Sequence, residues 1–206
     1  MTMPLIEREQ RQLRRLETLI DVVYGITIWQ LFTLLPRPEE NPEWNTLPEM
    51  LLDSGLNFAV AVIALVIVII YWIKSNLLFR YLVRTDSWHI GFSIAQVFSL
   101  LLFMYSIRVG VGFEANAVSR IFESSTACLL GLFSFAAWYY ALHKGKLVTD
   151  ELGAEEAKAI TQRIKAEPVT AAITIPFAAG MWMWELSWFI YPFVVYVYNR
   201  RFKSGS

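Results

Sequence analysis

The sequence predicts an all-α, polytopic membrane protein of six transmembrane helices with both termini in the cytoplasm. Three observations carry that class. Apolar residues make up 56% of the 206 positions and charged residues only 17%, whereas soluble domains carry about a quarter charged residues. Uncharged stretches run from Ser54 to Ile73, Ser87 to Ile107 and Ser124 to His143, spanning 20, 21 and 20 positions. Basic residues crowd alternate connections between the apolar segments, as they do on the cytoplasmic side of membrane proteins. Mean hydropathy is +0.43. A bilayer-crossing helix needs about 20 predominantly apolar residues, so the three long stretches qualify unaided. Val22–Pro36, Pro168–Trp184 and Leu186–Asn199 are shorter and qualify by taking a charged residue at one end.

In chain order the expected helices cover about 17–35, 52–77, 87–109, 116–143, 168–183 and 185–200, and the chain reads as one six-helix transmembrane domain over 1–206. The first apolar run begins only after Glu7, Arg8, Glu9, Arg11, Arg14 and Arg15 and lacks a small-residue cleavage site, so a signal peptide is not expected. Pro36–Asp53 forms an acidic connection, with Glu39, Glu40, Glu43, Glu49 and Asp53 against Arg37, net −4. Such charge at an outer mouth concentrates cations; the plainer reading is a solvated acidic loop. Arg108-Val109-Gly110-Val111-Gly112 looks like a potassium filter, but it ends an apolar span directly and lacks the threonine, so a mobile Gly-rich connection is expected. Thr149-Asp150 is read as the cap of a short cytosolic polar helix over about 150–165.

Lys74, Arg80 and Arg84 follow the second span; Lys144, Lys146, Lys158, Arg163 and Lys165 follow the fourth. The alternate connections hold Arg37, then Arg108 and Arg120, which puts both termini inside. Trp44, Trp72, Trp88, Trp138, Trp182, Trp184 and Trp188 sit toward span ends and read as interfacial anchors. Cys128 is the single cysteine, so no internal disulfide forms. Equal numbers of basic and acidic residues, 18 each, give no pull toward nucleic acid.

Polar residues within spans are the strongest functional pointers in a membrane protein. In the first helix, Ile26, Gln30 and Thr33 fall within about 60° of one another at 100° per residue, with Val22 near that face below them. Two readings fit this stripe. Either it is a helix–helix seam in which Gln30 and Thr33 hydrogen-bond a neighbour, or it lines a water-filled path.

Arg15-Leu16-Glu17-Thr18-Leu19-Ile20-Asp21, followed by Ile26 five residues after the aspartate, and Tyr71-Trp72-Ile73-Lys74-Ser75-Asn76-Leu77-Leu78-Phe79 together resemble the bacterial branch of the lysosomal-type potassium channels. These are filter-less six-helix proteins whose first helix carries Arg-x-x-x-Phe-Ser-Asp. Leu19-Ile20 replaces Phe-Ser here, and Ser75-Asn76 replaces a histidine pair. The resemblance implies a homotetramer in a bacterial plasma membrane that conducts monovalent cations, potassium first among them, and needs no cofactor. It further implies that Ile26 forms the constriction, that Val22, Gln30 and Thr33 line the pore, and that Arg15 and Asp21 join a polar network near the cytoplasmic mouth. Glu39, Glu40 and Glu43 would ring the outer mouth. Trp29 stands where the family often has threonine, and either borders the pore or packs on a neighbouring helix. Potassium sheds water more readily than sodium, so weak to moderate potassium selectivity is expected.

An enzyme is not expected. His89 and His143 lack metal-ligand companions at helical spacing, and neither belongs to a nucleophile motif. Glu123 and Glu185 read as buried partners or water-exposed edges. The rival functions are a non-conducting membrane scaffold, in which the first-helix stripe is an oligomer seam, and a small-solute transporter.

Overall fold

In the computed structural model, which describes residues 5–33, 35–112, 116–191, 193–194 and 196, the described residues are mostly helical and form no strand beyond one isolated bridge between Leu82 and Val148. Helix α1 spans Leu5–Phe32, α2 Leu47–Asp53, α3 Gly55–Phe79, α4 Ser87–Gly112, α5 Ala117–Tyr139, α6 Ala154–Thr174 and α7 Met181–Ser187. Among the described residues, three stretches are long and apolar enough to cross a membrane: Asn57–Phe79, Ser87–Gly110 and Ala117–Lys144. The protein is therefore a multi-pass membrane protein of all-α class.

The first helix starts well before its apolar run. Leu5–Phe32 is one rod of 28 residues, about 42 Å at 1.5 Å per residue, so the arginine cluster stands on the same helix as the apolar segment. Its buried positions, Leu13, Leu16, Ile20, Tyr24, Thr27 and Leu31, recur at three- and four-residue steps and face α3 and α4. There Leu16, Ile20, Tyr24 and Leu31 join Ala64 and Val68 of α3 and Val97, Leu100 and Met104 of α4 in the main core. Arg84 Nη1 lies 3.4 Å from Glu9 Oε2, tying the charged arm of α1 to the α3–α4 connection.

Two expectations about the second half need correcting. The polar helix expected over 150–165 and the span expected over 168–183 are largely one helix, α6, which runs through Pro168. It is capped by Gly153 rather than Thr149-Asp150, with Glu155 and Glu156 in the first turn complementing the helix dipole. It then tightens into a 3-10 turn over Ile175–Ala179 and breaks at Gly180 before α7. A proline inside a helix forfeits one backbone bond and crowds the preceding turn, and here α5 makes room for it. Gly131 lies against Pro168, so close that a Cβ there would sit 2.7 Å from Pro168 Cδ. Cys128 Sγ, one turn earlier, donates to Pro168 O at 3.6 Å. The segment expected over 185–200 begins as α7 and is described only in part; its end lies outside the described residues.

Lipid offers no hydrophobic drive between helices, so close approach and polar contacts hold them together. Ser106 and Thr126 hydroxyls meet at 3.0 Å between α4 and α5. Ser124 of α5 accepts from Thr174 at 2.7 Å and from the Trp184 indole at 2.9 Å. Trp138 donates to Thr161 at 2.9 Å. Trp138 and Trp184 are therefore interior braces rather than interfacial anchors, because a buried indole N–H finds a partner. Trp88 and Trp182 are 70% and 66% exposed.

The Gly-rich run after Arg108 is helical through Gly112, not a mobile connection. Its carbonyls belong to a helix rather than to a re-entrant loop, which removes the filter-like reading for the described part. Phe113, Glu114 and Ala115 lie outside the described residues.

Candidate functional site

The face of α1 opposite its core contact is bare. Leu19, Val22, Ile26 and Trp29 are 49%, 52%, 51% and 73% exposed, and Gln30 and Thr33 are exposed with them. The structure thus brings Val22, Ile26 and Gln30 of α1, with Thr33 in the turn just after it, onto one exposed stripe, with Trp29 on its flank. The cause is the sequence period: every three or four residues a core position alternates with this second stripe, so one rod carries two distinct faces.

The chemistry along the stripe changes with height. Val22 and Ile26 are aliphatic. Above them, the Gln30 side-chain amide has no hydrogen-bond partner among the described residues. Thr33, in the turn that follows α1, donates its hydroxyl back to Gln30 O at 2.5 Å, which leaves the hydroxyl oxygen free to accept. The Thr27 hydroxyl is spent in the same way on Val23 O at 2.7 Å, but it is buried against the core. Amide and hydroxyl oxygens beside aliphatic side chains are chemically able to replace water around a monovalent cation.

Below the stripe, Asp21 is held by a partner that spacing along α1 does not reveal. The Trp72 indole Nε1 donates to Asp21 Oδ1 at 2.9 Å, joining α3 to α1. Arg15 is exposed on the same helix and forms no ion pair among the described residues. The Tyr71-Trp72 pair is visible in the sequence as a motif, but its target is a tertiary fact. Two residues on, Lys74 of α3 pairs with Glu167 of α6. Trp72→Phe should keep the packing and lose the indole donor. A hydrogen bond to a charged acceptor contributes about 1.5–3 kcal/mol when sheltered, and this exposed one should contribute near the lower end. The expected result is a small fall in thermal midpoint, whereas Trp88→Phe at an exposed position should leave it unchanged.

The acidic connection is more ordered than a solvated loop. Thr46 caps α2 in a capping box with Glu49, whose carboxylate accepts from the backbone of Asn45 and Thr46 at 2.9 and 3.2 Å. Asp53 Oδ2 accepts from the Trp44 indole at 2.9 Å. Two of the five acids are therefore occupied locally. Glu39 and Glu43 are exposed, while the Glu40 side chain lies outside the described set. Among the described residues no group of three His, Cys, Asp or Glu side chains is placed to hold a metal ion. His89 Nδ1 meets the Thr85 hydroxyl at 2.8 Å, and His143 stacks on Tyr139. Arg120 pairs with Glu185 at 2.6 Å.

Residues 15–104 match the family model described as endosomal/lysosomal potassium channel TMEM175. That is a family of channels rather than of enzymes. Among solved structures, the chain is similar to a crystal structure of a variant of the potassium channel MtTMEM175 in complex with a nanobody–MBP fusion protein. Identity is 16%, the alignment covers 92% of this chain and 93% of that one, and the TM-score is 0.68. At that identity the likeness speaks to the fold. No curated protein matches.

Proposed function

We propose a potassium-conducting channel, and the premise is kinship: this chain is a TMEM175-type protein, matched over residues 15–104 in sequence and over 92% of its length in fold. Four copies surround a central axis, each contributing α1. Each chain crosses a bacterial plasma membrane six times, with both termini inside. Ile26 forms the constriction, Val22 lies below it, and Gln30 and Thr33 form polar rings above it. Potassium passes with weak to moderate preference over sodium and no cofactor takes part. The Asp21–Trp72 contact steadies the cytoplasmic end of the rod, and Arg15, which pairs with nothing among the described residues, joins that network only through a neighbouring copy.

The observation that carries this reading is the second face of α1. A polar amide and a hydroxyl facing lipid at membrane depth are costly, and such groups ordinarily face a bundle interior or water. The buried side of α1 already meets α3 and α4, so Gln30 and Thr33 are left for an axis shared with other copies.

The test is potassium-gradient flux from proteoliposomes, with sodium as comparator and protein-free vesicles as blank. Potassium flux above the blank supports a channel. Folded tetramers that pass no ion would move the assignment to a scaffold, and saturable solute-driven flux would move it to a transporter.

The outer acids give a further expected result. Glu39→Gln with Glu43→Gln should lower potassium conductance about twofold at low ionic strength. The difference should vanish near 1 M salt, where the screening length falls to about 3 Å. Conductance unchanged at every salt concentration would leave those residues as ordinary loop charges.

A further inference from the structure

We propose that Trp29 of each subunit seats in a groove between α1 and α4 of the next subunit around the ring, so that the indole is a spacer between pore helices rather than a pore-lining group. The inference rests on the tetrameric reading above and fixes the side of α1 that meets the neighbour.

The groove has a volume of about 380 Å³; its α1 wall includes Val23, Ile26, Thr27 and Gln30, so it opens beside the axial stripe, and Leu101, Tyr105 and Arg108 of α4 face them. Nothing within the described chain fills it. Trp29 is 73% exposed, more than any other large apolar side chain of α1 among the described residues. Positions around the helix decide where each feature points. With Ile26 facing the axis, Trp29 lies about 60° to one side, while Val23 and Thr27 lie about 60° and 100° to the other. A single chain therefore cannot place its own indole in its own groove.

A closed ring with rotational symmetry removes that separation. Each interface is head-to-tail, so one flank of a subunit meets the opposite flank of the next. Rotation about the axis also leaves height unchanged. The α1 wall of the groove runs from Val23 to Leu31, which brackets the level of Trp29. Knob and hole thus stand on complementary flanks at one level.

The chemistry agrees with the geometry. Arg108 is exposed at the groove and forms no ion pair among the described residues. A guanidinium gains from the face of an indole, which is the best aromatic partner for a cation. Tryptophan is also enriched among residues that anchor interfaces. Seated there, the indole would hold neighbouring α1 rods apart beside Ile26, and its size would set the aperture of the constriction.

The experiment uses the full chain with Cys128→Ser, which removes the single cysteine. Trp29→Cys is combined with Tyr105→Cys, and in a second protein with Leu101→Cys, then treated with a short bifunctional thiol cross-linker. The expected gel pattern is a ladder reaching tetramer for either pair, with each single variant remaining monomeric. A dimer from Trp29→Cys alone would put the residue at the axis and overturn the proposal. A tetramer seen by native mass spectrometry that gives no ladder with either pair would overturn it too, while leaving the tetramer intact. Absence of a tetramer in the untreated protein would instead remove the assembly on which both readings stand.

Discussion

Replacing Ile26 by asparagine should raise potassium flux about tenfold, equivalent to removing roughly 1.4 kcal/mol from the barrier, and should reduce the preference for potassium over sodium. A narrow aliphatic ring tends to lose its water, and an ion crossing it must give up hydration. An amide in the same place keeps the column wet and supplies an oxygen ligand. The change should leave folding untouched, because Ile26 is 51% exposed and opposite the core. Ile20 provides the contrast. It is on the same rod but 4% exposed, so Ile20→Asn buries an amide among apolar neighbours and should cost folded protein rather than alter conduction. Wild-type flux from intact Ile26→Asn tetramers would sink the constriction assignment.

The second large effect concerns stability. Gly131→Leu should lower the thermal midpoint in detergent by about 5 °C or more, given overpacking costs of about 1–3 kcal/mol and about 2–4 °C per kcal/mol for chains of this size. The first added carbon alone would sit 2.7 Å from Pro168 Cδ and 2.8 Å from Pro168 N. Because one of those atoms is backbone, α5 and α6 have to separate. Gly91 has nothing within 4 Å of its Cβ position, so Gly91→Ala should be neutral or stabilise by about 0.5–1 kcal/mol through helix propensity. A Gly131→Leu protein that melts with wild type would show that the α5–α6 crossing is not a tight contact.

The two faces of α1 were legible because helical period and polarity are written within a single segment. Leu16, Ile20, Tyr24 and Leu31 alternate with Val22, Ile26, Gln30 and Thr33, and no distant residue is needed to separate them. The all-α class was legible for a similar reason, since charge-free runs of this length are local features. Contacts between segments were not. Trp72 reaches Asp21 across 51 positions, and Trp184 reaches Ser124 across 60. Position near a span end suggested anchors, but the indole N–H of each is directed by packing. Pro168 misled in another way. Read alone, it marks the start of a new helix; in the fold, Gly131 on the facing helix lets α6 pass through it. The charged residues before the apolar run of α1 likewise hid the fact that the helix begins at Leu5.

That early start has a mechanical meaning. Between Leu5 and Phe32 the backbone has no break, and no proline interrupts it. The arm that carries Glu9, latched to Arg84, and the segment that carries Ile26 are thus two ends of one shaft. A shaft without a joint does not absorb twist along its length. Any pull that turns the arm about its own axis turns the stripe by the same angle, and a rotation of one residue step exchanges which side chain stands foremost. Aperture and cytosolic latch would then share a single degree of freedom, as a cam shares the rotation of its axle.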